Sequence, residues 1–363
     1  MEKQKFVLLG LSGGVDSAVA ALLLKKQGYH VIGAFIKSFS ETKNKLTNEC
    51  NWVEEKRMAQ KMAAHLQIPF IVLDFEKAYT SQVIKPMIKA YKEGITPNPD
   101  IACNTLIKFP LLWKAARKLK ADYIATGHYA RIKKTKNTFE LHQGRDKSKD
   151  QSYFLCELSR RDLSHTLFPV GNHLKSQVKQ IAKKNNFPNY DKPSTKGICF
   201  VGNIPLKSFL EKRLRKKSGV VLNNRGQIIG KHEGAYYYTL GERVRPTIGI
   251  NIIKGVSSQK RFYIAKKDME KNTITVVPEN HLLLKHSAFN LKKVHWINSK
   301  DKKIKLRAKV RVRHLGKLMP SVLKIKRGRL QFTLGEPASG IAPGQSAVFY
   351  QGTRIVCGGE ISL

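Results

Sequence analysis

The stretch Phe6-Val-Leu-Leu-Gly-Leu-Ser-Gly-Gly-Val-Asp-Ser17 decides the fold that the sequence predicts. Its first half has the apolar pattern of a parallel strand buried on both faces, and the residues from Ala18 to Leu24 read as a helix. The glycine pair between them lets backbone N–H groups gather around an oxyanion. We expect Asp16 or Ser17 to cap the helix that faces this anion. The stretch therefore predicts a phosphate-binding turn.

The type of phosphate loop follows from what the stretch lacks and what it resembles. It has no Gly-x-x-x-x-Gly-Lys-Ser/Thr pattern, so the lysine of a Walker loop is missing, and it has no Gly-x-Gly-x-x-Gly fingerprint. The segment Ser12-Gly-Gly-Val-Asp-Ser17 resembles the loop of the ATP pyrophosphatases, which split ATP between its α- and β-phosphates. A plain strand–turn–helix that happens to contain glycines is the alternative.

Length and charge bound the class of protein. A chain of 363 residues is too long for one ordinary core, so two or three domains are expected, and a hydrophobic content of 41% suffices for burial. Lys and Arg number 67 against 26 Asp and Glu, which gives a formal net charge of +41. Such an excess favours a polyanionic partner. A general enrichment of the composition in lysine would give the same total charge. Only a regular pattern of charges along the sequence can therefore distinguish a polyanionic partner from such an enrichment.

The absence of a visible targeting signal and the spacing of the cysteines indicate the cellular compartment. No apolar run approaches the ~18 residues of a membrane span, and no targeting segment precedes the first strand. Five cysteines at irregular spacing argue against a disulfide scaffold. We expect a cytoplasmic protein without a membrane partner.

Apolar strands alternate with helices through the first third of the chain. Further strands are expected over 30–36, 70–75 and 122–128, with helices over 51–66, over 81–91 and up to about residue 120. This alternation indicates an α/β fold with a doubly wound parallel sheet. Ligands of such sheets bind beyond the carboxyl ends of the strands, where Ser12, Gly127 and His128 fall.

The pattern changes near residue 205. A basic helix is expected over 205–217, and short strands follow it. From about Phe289 the chain reads as all-β, with glycines at its turns. This part of the chain predicts a small barrel or sandwich.

Two loops carry thiols in unusual settings. In Thr96-Pro-Asn-Pro-Asp-Ile-Ala-Cys-Asn104 two prolines stiffen the backbone, so a rigid loop holds Asp100 three residues before Cys103. A carboxylate there can position a substrate or move a proton, and a cysteine near a helix N-terminus has a stabilised thiolate. A Pro-rich turn with a small buried cysteine is the alternative.

The second loop is Ser194-Thr-Lys-Gly-Ile-Cys-Phe-Val-Gly202. Its glycines and nearby lysines favour an exposed Cys199 of low pKa, against the alternative of a cysteine buried in a loop. Nothing in the spacing shows that this thiol meets Cys103. The other cysteines are interpreted as packing residues: Cys50, Cys156 and Cys357.

Two polar segments are weaker candidates. His128 ends a predicted strand, where it could contact a ligand or serve as a hydrogen-bonded structural histidine. Lys149-Asp-Gln151 stands before an apolar run, either as a functional surface or as an ordinary solvated turn.

A periodic run of cations lies near the C-terminus. From Lys303 to Arg313 every odd position is basic and every even position is apolar. Period two predicts a strand with one buried face and one face of six cations. Lysines on edge strands also prevent aggregation, but so unbroken a row favours nucleic acid.

Together these motifs resemble the bacterial tRNA-specific 2-thiouridylases. The resemblance includes the loops quoted above and continues to Tyr237-Tyr-Thr-Leu-Gly241 and Pro343-Gly-Gln-Ser-Ala-Val-Phe-Tyr350, so it covers nearly the whole chain. Pairing of Asn-Pro-Asp-x-x-Cys with the later Gly-Ile-Cys distinguishes this family from other ATP pyrophosphatases. The family pattern implies a catalytic domain over 1–204, a small central domain over 205–277 and a C-terminal β-barrel over 278–363.

The resemblance also implies site residues. ATP would be held by Gly10, Leu11, Ser12, Gly13, Gly14, Val15, Asp16, Ser17, Ile36 and Gly127. Catalysis would use Cys103 as nucleophile, Cys199 as persulfide carrier and Asp100. The target base would face Asn98, Pro99 and Asp100, and the tRNA would contact His128, Lys149, Asp150, Gln151, Arg313, His314 and Gln345. At His314 the family has an aromatic Tyr.

The activity implied by the resemblance is thiolation of the wobble uridine of tRNA at C2. ATP would adenylate the base, Mg²⁺ would neutralise the phosphates, and a persulfide donor protein would load Cys199 of a monomeric enzyme. Two alternatives remain open at this point. One is another adenylating ligase of the same superfamily, and the other is a non-catalytic, basic RNA-binding protein with a vestigial ATP site, which leaves the two framed thiols unexplained.

Overall fold

The structure, a computed structural model, describes residues 4–41, 49–136, 138–193, 205–253, 261–302, 305–326 and 329–363. Cys199 with its whole loop, and Lys303, lie outside these ranges, so their predicted settings are not described. Within them, every helix is too short or too polar to cross a membrane.

The strands and helices are numbered along the chain. The strands are β1 (Phe6–Gly10), β2 (His30–Lys37), β3 (Phe70–Asp74), β4 (Tyr123–Ala125), β5 (Ala130–Lys134), β6 (Phe139–Gln143), β7 (Thr166–Leu167), β8 (Gly219–Leu222), β9 (Ile228–His232), β10 (Ile250–Ile252), β11 (Phe262–Asp268), β12 (Thr273–Pro278), β13 (His286–Trp296), β14 (Lys305–Arg311), β15 (Met319–Lys326), β16 (Arg329–Ala338), β17 (Ser346–Gln351) and β18 (Arg354–Ser362). The α-helices are α1 (Val15–Lys26), α2 (Asn51–His65), α3 (Glu76–Tyr79), α4 (Lys85–Lys92), α5 (Pro99–Ala102), α6 (Phe109–Lys118), α7 (Arg160–Ser164), α8 (Lys175–Lys184) and α9 (Leu206–Glu211).

The N-terminal sheet is parallel and has the order β3-β2-β1-β4-β7. The four predicted strands are confirmed, whereas β7 has only two residues and is too short to give a periodic signal. Strand β1 is central, with β2 on one side and β4 on the other. The strand order therefore reverses at β1: β2 and β3 follow on one side, and β4 and β7 on the other. In open α/β sheets such a reversal leaves a crevice for ligands, here beyond the carboxyl ends of β1 and β4.

Two helical predictions need correction. The helix expected over 81–91 begins earlier, as α3, and continues through a π-helical turn at Thr80–Ile84 into α4. The loop expected up to Asn104 instead becomes helical at Pro99, because Asn98 caps α5 and Pro99 suits a first helical position.

The central region forms a second sheet, of order β10-β9-β8-β12-β11. The basic helix expected over 205–217 is confirmed only as the six residues of α9. It ends there because the following run, Lys212–Lys217, contributes a single buried apolar side chain, Leu214, so further helical turns would bury little.

The C-terminal region is a barrel, not a sandwich. Strands β13-β16-β15-β14-β17-β18 follow one another in antiparallel order, and a β13–β18 pairing closes the ring. The hairpin β5–β6, which comes from the N-terminal region, adds to the outside of β18 through Arg354 and His142. A hairpin of the N-terminal region thus extends the sheet of the barrel.

Candidate active site

The predicted phosphate turn lies at the carboxyl end of β1. Gly13 has φ +74°, and a Cβ at this position would lie 2.5 Å from the carbonyl oxygen of Glu55 in α2, so only glycine fits. Helix α1 has Gly14 as its N-cap and no side-chain cap. The prediction that Asp16 or Ser17 caps this helix is therefore wrong, since both residues lie inside its first turn.

The turn is closed instead by hydrogen bonds of Ser17. Its hydroxyl donates to the carbonyl oxygen of Gly14 at 3.0 Å and accepts from the Ser12 N–H at 3.2 Å. An uncapped helix N-terminus presents N–H groups and a positive dipole end, which suit a phosphate. The residues present therefore fit the polyphosphate of ATP.

Gly127 packs directly against this turn. A Cβ on Gly127 would lie 2.7 Å from the backbone nitrogen of Ser17 and 2.8 Å from the carbonyl carbon of Asp16. Because both neighbours are backbone atoms, they could not yield without displacing the turn. The carboxyl ends of β1 and β4 therefore meet here, as predicted. Ile36 lies buried near the carboxyl end of β2, the neighbouring strand.

His128 is a buried residue. Its Nδ1 lies 2.7 Å from the hydroxyl of Thr126, and its ring packs between Phe109 and Phe168. Burial, with a smaller contribution from Lys108, holds its pKa well below the usual range, so the ring is neutral. The geometry favours the structural interpretation of His128, and its contact with tRNA stays a prediction.

Asp16 has partners that the sequence did not indicate. Its Oδ1 accepts a hydrogen bond from the hydroxyl of Tyr129 at 2.8 Å and lies 2.5 Å from Nζ of Lys175, at the start of α8. Asn189 donates from its side chain to the carbonyl oxygen of Gly13 at 2.9 Å. These residues are 113 to 176 positions from their partners, so no local pattern could have indicated the contacts.

The loop with the proline pair is held by its own hydrogen bonds and by one to Phe154. Asn98 accepts a hydrogen bond from the N–H of Ile101 at 3.3 Å and so caps α5, in which Asp100 stands in the first turn. Asn104 donates to the carbonyl oxygens of Asp100 at 3.0 Å and Phe154 at 3.3 Å. Asn98 to Asn104 therefore form a fixed unit, named here the base loop.

Cys103 lies at the end of α5, where the π-helical segment Cys103–Lys108 begins. Its predicted place near a helix N-terminus is therefore wrong, because α5 starts four residues earlier. Cys103 is fully buried and belongs to the apolar cluster that also contains Phe39, Tyr79 and Ile107. A reaction at its sulfur thus requires the covering residues to move.

The central region and the C-terminal region each make hydrogen bonds to the chain just before the base loop. From the barrel side, Gln345 donates through its Nε2 to the carbonyl oxygens of Thr96 and Pro97, both at 3.1 Å. From the central region, Nζ of Lys267 donates to the carbonyl oxygen of Gly94 at 2.7 Å. Because the Gln345 amide is used in this way, a positioning role for it is visible, and its contact with tRNA stays a prediction.

Asp150 is fully buried and joins the N-terminal region to the barrel. Its carboxylate accepts from Nη1 of Arg311 at 2.9 Å, from the Gly144 and Ser152 N–H groups at 3.1 Å each, and from Gln143 at 3.0 Å. A direct contact with RNA would require this ion pair to open. The exposed residue of the predicted triplet is Lys149, whereas Gln151 is half-buried.

We expect Arg311→Gln to lower the free energy of unfolding by about 2 kcal/mol. Leaving a buried ion unpaired costs roughly 3–5 kcal/mol, but Asp150 keeps three other donors. Urea denaturation measures the difference. Arg307→Gln, which changes an exposed residue of the same strand, is the matched control and should stay within about 0.5 kcal/mol of the native protein. Equal losses in the two variants would contradict this account of the ion pair.

The cationic face of β14 is shorter than predicted. Lys305, Arg307 and Lys309 are exposed on one side of the strand, whereas Arg311 turns onto the buried Asp150. Arg313 is exposed but lies beyond the end of the strand. The prediction of six cations on one face is therefore wrong at Arg311, because the N-terminal region covers that end of the strand.

His314 adds an aromatic contact next to the base loop. Its ring packs against Phe154 in a tilted arrangement, with the ring centroids 4.2 Å apart and the ring planes at 32°. The carbonyl oxygen of Phe154 in turn accepts a hydrogen bond from Asn104. Burial, moderated by the nearby Asp150 charge, lowers the pKa of His314 to about 4, so its ring is neutral near pH 7. Histidine therefore serves here as an aromatic surface. The tRNA contacts of Arg313 and His314 stay predictions.

Of the three remaining cysteines, two are buried packing residues and one is not. Cys156 and Cys357 are fully buried, whereas Cys50 is half-buried and donates to the carbonyl oxygen of Ser40 at 3.0 Å.

The fold and the site define an α/β phosphate-loop protein that carries a second, mixed sheet and a barrel. The matching family models are described as a tRNA methyl transferase HUP domain over residues 5–203, a tRNA methyl transferase PRC-barrel domain over 207–278 and an aminomethyltransferase beta-barrel domain over 286–361. The chain belongs to the family of tRNA-specific 2-thiouridylases.

Two relatives with that name show the extent of the match. The protein from Aliarcobacter butzleri is 40% identical over 370 residues, covering 100% of both chains. The protein from Coxiella burnetii is 38% identical over 364 residues, covering 99% of each. A solved 4-thiouridine synthetase–RNA complex with bound ATP is 17% identical, with a TM-score of 0.35, and covers 57% of this chain and 49% of its own. This last likeness is too small to carry an argument.

Proposed function

We propose that the protein thiolates the wobble uridine, position 34, of tRNA at C2, with ATP as the activating substrate. The observation that carries this proposal is a continuous path of hydrogen bonds from the phosphate turn to the base loop. Asp16 is bonded to Tyr129, Tyr129 to Gln151, Gln151 to Phe154 and Phe154 to Asn104, the neighbour of Cys103. Nucleotide and base would therefore be held by one connected framework. The full-length relatives named 2-thiouridylases support the same reaction.

In the first chemical step, O2 of the uracil attacks the α-phosphate of ATP, and pyrophosphate leaves. The phosphate turn orients the polyphosphate, and Asn98, Pro99 and Asp100 of the base loop orient the base. Magnesium, which prefers oxygen ligands, would be held by the phosphates and Asp16 and would neutralise phosphate charge. A base in a single-stranded loop can be turned out into such a site at low cost.

In the second step, sulfur replaces the activated oxygen. The terminal sulfur of a Cys199 persulfide attacks C2, and AMP leaves with the former O2. The Cys103 thiolate then attacks the inner sulfur of Cys199, which releases the thiolated base and leaves a Cys103–Cys199 disulfide. A dithiol reductant must supply two electrons to reopen it.

The proposal extends to partners and domain limits. A persulfide-carrying protein would load Cys199, and the enzyme would act as a monomer. We divide the chain into domains over 1–204, 205–277 and 278–363, with the three sheets as support and the β5–β6 hairpin crossing from the first to the third.

The test uses purified protein, a tRNA with uridine at position 34, labelled ATP and a persulfide source. We expect pyrophosphate and AMP formation that depends on tRNA, and 2-thiouridine in the digested product. AMP formation without tRNA would indicate another adenylating ligase, and tRNA binding without ATP cleavage would indicate a non-catalytic RNA-binding protein. A methylated base formed from a methyl donor would favour the activity in the family-model descriptions.

The exposed cations of β14 give a prediction about tRNA binding. Each cation that neutralises a phosphate releases counterions, at roughly 0.7 to 0.9 of a unit in the slope of log K against log salt. Changing Arg307 and Lys309 to Gln should therefore flatten the slope for tRNA by about one to two units. Affinity for an ATP analogue should not change, because β14 does not contribute to the phosphate turn.

The matched control changes Lys114 and Lys118, two exposed residues of α6, to Gln. It removes the same charge from a different surface. Equal slopes for the two double variants, measured by a salt titration of tRNA binding, would mean that the β14 face does not bind tRNA.

A further inference from the structure

One motif of the sequence, Tyr237-Tyr-Thr-Leu-Gly241, has no part in the reaction proposed above. It belongs to the central region and contacts residues 94–97, which lead into the base loop and are named here the lead segment. The hydroxyl of the buried Thr96 donates to the hydroxyl of Thr239 in the motif at 3.1 Å. The motif thus contacts the N-terminal region directly before the residues that would orient the target base.

Lys267 of β11 adds a second contact from the central region. Its Nζ donates to the carbonyl oxygen of Gly94 at 2.7 Å and to that of Tyr238 at 2.6 Å, so it joins the lead segment to the motif. Burial lowers the pKa of Lys267 to about 8, against the opposite influence of the Glu242 carboxylate, so the side chain is mostly protonated near pH 7. Both hydrogen bonds therefore come from a buried charge, which makes them stronger than bonds between neutral groups.

The barrel region holds the same lead segment. The N–H of Thr96 donates to the carbonyl oxygen of Pro343 at 3.3 Å, and the Gln345 amide bonds the carbonyl oxygens of Thr96 and Pro97. A Cβ on Gly344 would lie 2.8 Å from the Thr96 carbonyl oxygen, so the two backbones are in close contact. The backbone polar groups of the lead segment are thus bonded by two other regions of the chain.

The lead segment determines where the base loop begins. Pro97 and Pro99 stand on either side of Asn98, which caps α5. Because each proline fixes its own backbone angle φ, a shift of the lead segment would be carried into the base loop and not absorbed between them. A displacement of about 1 Å at a reacting group can cost about 100-fold in rate.

We propose that Lys267 is a positioning residue for adenylation, which holds the base loop where it presents the target base to the α-phosphate of ATP. This inference rests on the proposed function. In this role Lys267 acts through the lead segment and touches neither the base nor the nucleotide. The central region thereby contributes to the first chemical step, and the motif around Thr239 provides the surface on which the lead segment rests.

The test measures tRNA-dependent release of pyrophosphate by the full chain, as kcat and as KM for ATP. In Lys267→Met, kcat should fall about 10- to 100-fold, because the lead segment loses a charged hydrogen bond and the base loop shifts. KM for ATP, and the affinity for α,β-methylene-ATP without tRNA, should change less than about twofold, since the phosphate turn keeps its contacts. Lys267→Arg retains a charged donor and should recover part of the loss in kcat.

Two further variants keep the result interpretable. Lys266→Met removes the exposed neighbouring cation of β11 and should keep the native kcat. Thr239→Val removes the hydroxyl partner of Thr96 at nearly constant shape, so it replaces Lys267→Met if the latter unfolds. It should lower kcat by about 3- to 10-fold, again with KM for ATP unchanged.

Three outcomes separate the inference from its alternatives. A native kcat in folded Lys267→Met would mean that Lys267 only joins two regions of the chain, and would overturn the inference. Equal losses in kcat and in affinity for the ATP analogue would indicate a general disturbance of the fold, and would overturn it as well. Failure of the native protein to release pyrophosphate with tRNA would instead count against the proposed function.

Discussion

Cys103→Ser should abolish the formation of 2-thiouridine, with a loss of roughly three orders of magnitude or more. A serine hydroxyl is not ionised near neutral pH and cannot form the disulfide that releases sulfur from Cys199. The first step does not use this thiol, so one equivalent of pyrophosphate should still appear when tRNA and ATP are added. Mass spectrometry of the digested tRNA and a pyrophosphate assay measure the two steps separately.

The matched control is Cys50→Ser. Cys50 is half-buried and donates to the carbonyl oxygen of Ser40, a bond that a serine hydroxyl can also make, so thiolation should continue. Transfer of labelled sulfur distinguishes the two active thiols, since Cys103→Ser should still accept persulfide sulfur and Cys199→Ser should not. Normal formation of 2-thiouridine by Cys103→Ser would contradict the role of Cys103 in releasing sulfur. Equal loading of labelled sulfur onto Cys103→Ser and Cys199→Ser would contradict the role of Cys199 as the persulfide carrier.

Gly127→Ala should reduce tRNA adenylation by two to three orders of magnitude. The added methyl carbon would lie 2.7 Å from the Ser17 nitrogen and 2.8 Å from the Asp16 carbonyl carbon, so the phosphate turn must shift. A displacement of about 1 Å at a site of phosphoryl transfer can alone cost about 100-fold. Pyrophosphate release in the presence of tRNA measures the effect.

The control for this change is Gly335→Ala in the barrel, where the new Cβ would meet its nearest neighbours at 3.4 Å or more. It should adenylate tRNA like the native protein. Affinity for tRNA should remain near the native value in both variants. Unimpaired pyrophosphate release from Gly127→Ala would show that Gly127 does not border the nucleotide.

The sequence predicted those parts of the fold that depend on local pattern. Strands β1, β2 and β3 are apolar runs long enough to be recognised, and Gly13 stands at a turn that only glycine fits. The base loop was recognised as rigid from its prolines. The prolines do not predict the helix that begins at Pro99, because the same residues are as typical of a turn as of the start of a helix capped by Asn98.

Contacts between distant parts of the chain could not be predicted in this way. Asp16 meets Lys175 across 159 positions, and Asp150 meets Arg311 across 161. Lysines are so frequent in this chain that no single one attracts attention. The same limitation explains the error at Arg311, because strand periodicity gives the side of a strand but not what another region packs against it.

The β5–β6 hairpin has a consequence for biosynthesis. Its partner on the barrel lies far along the chain, as the contact between His142 and Thr353 spans 211 positions. The hairpin therefore leaves the ribosome long before the strand it joins. Its edge on β6 stays unpaired during synthesis until β18 has been made. A chain shortened at its C-terminus would keep that edge uncovered and prone to pair with other chains. Loss of β18 should thus promote aggregation through the nucleotide-binding region, in addition to disrupting the barrel.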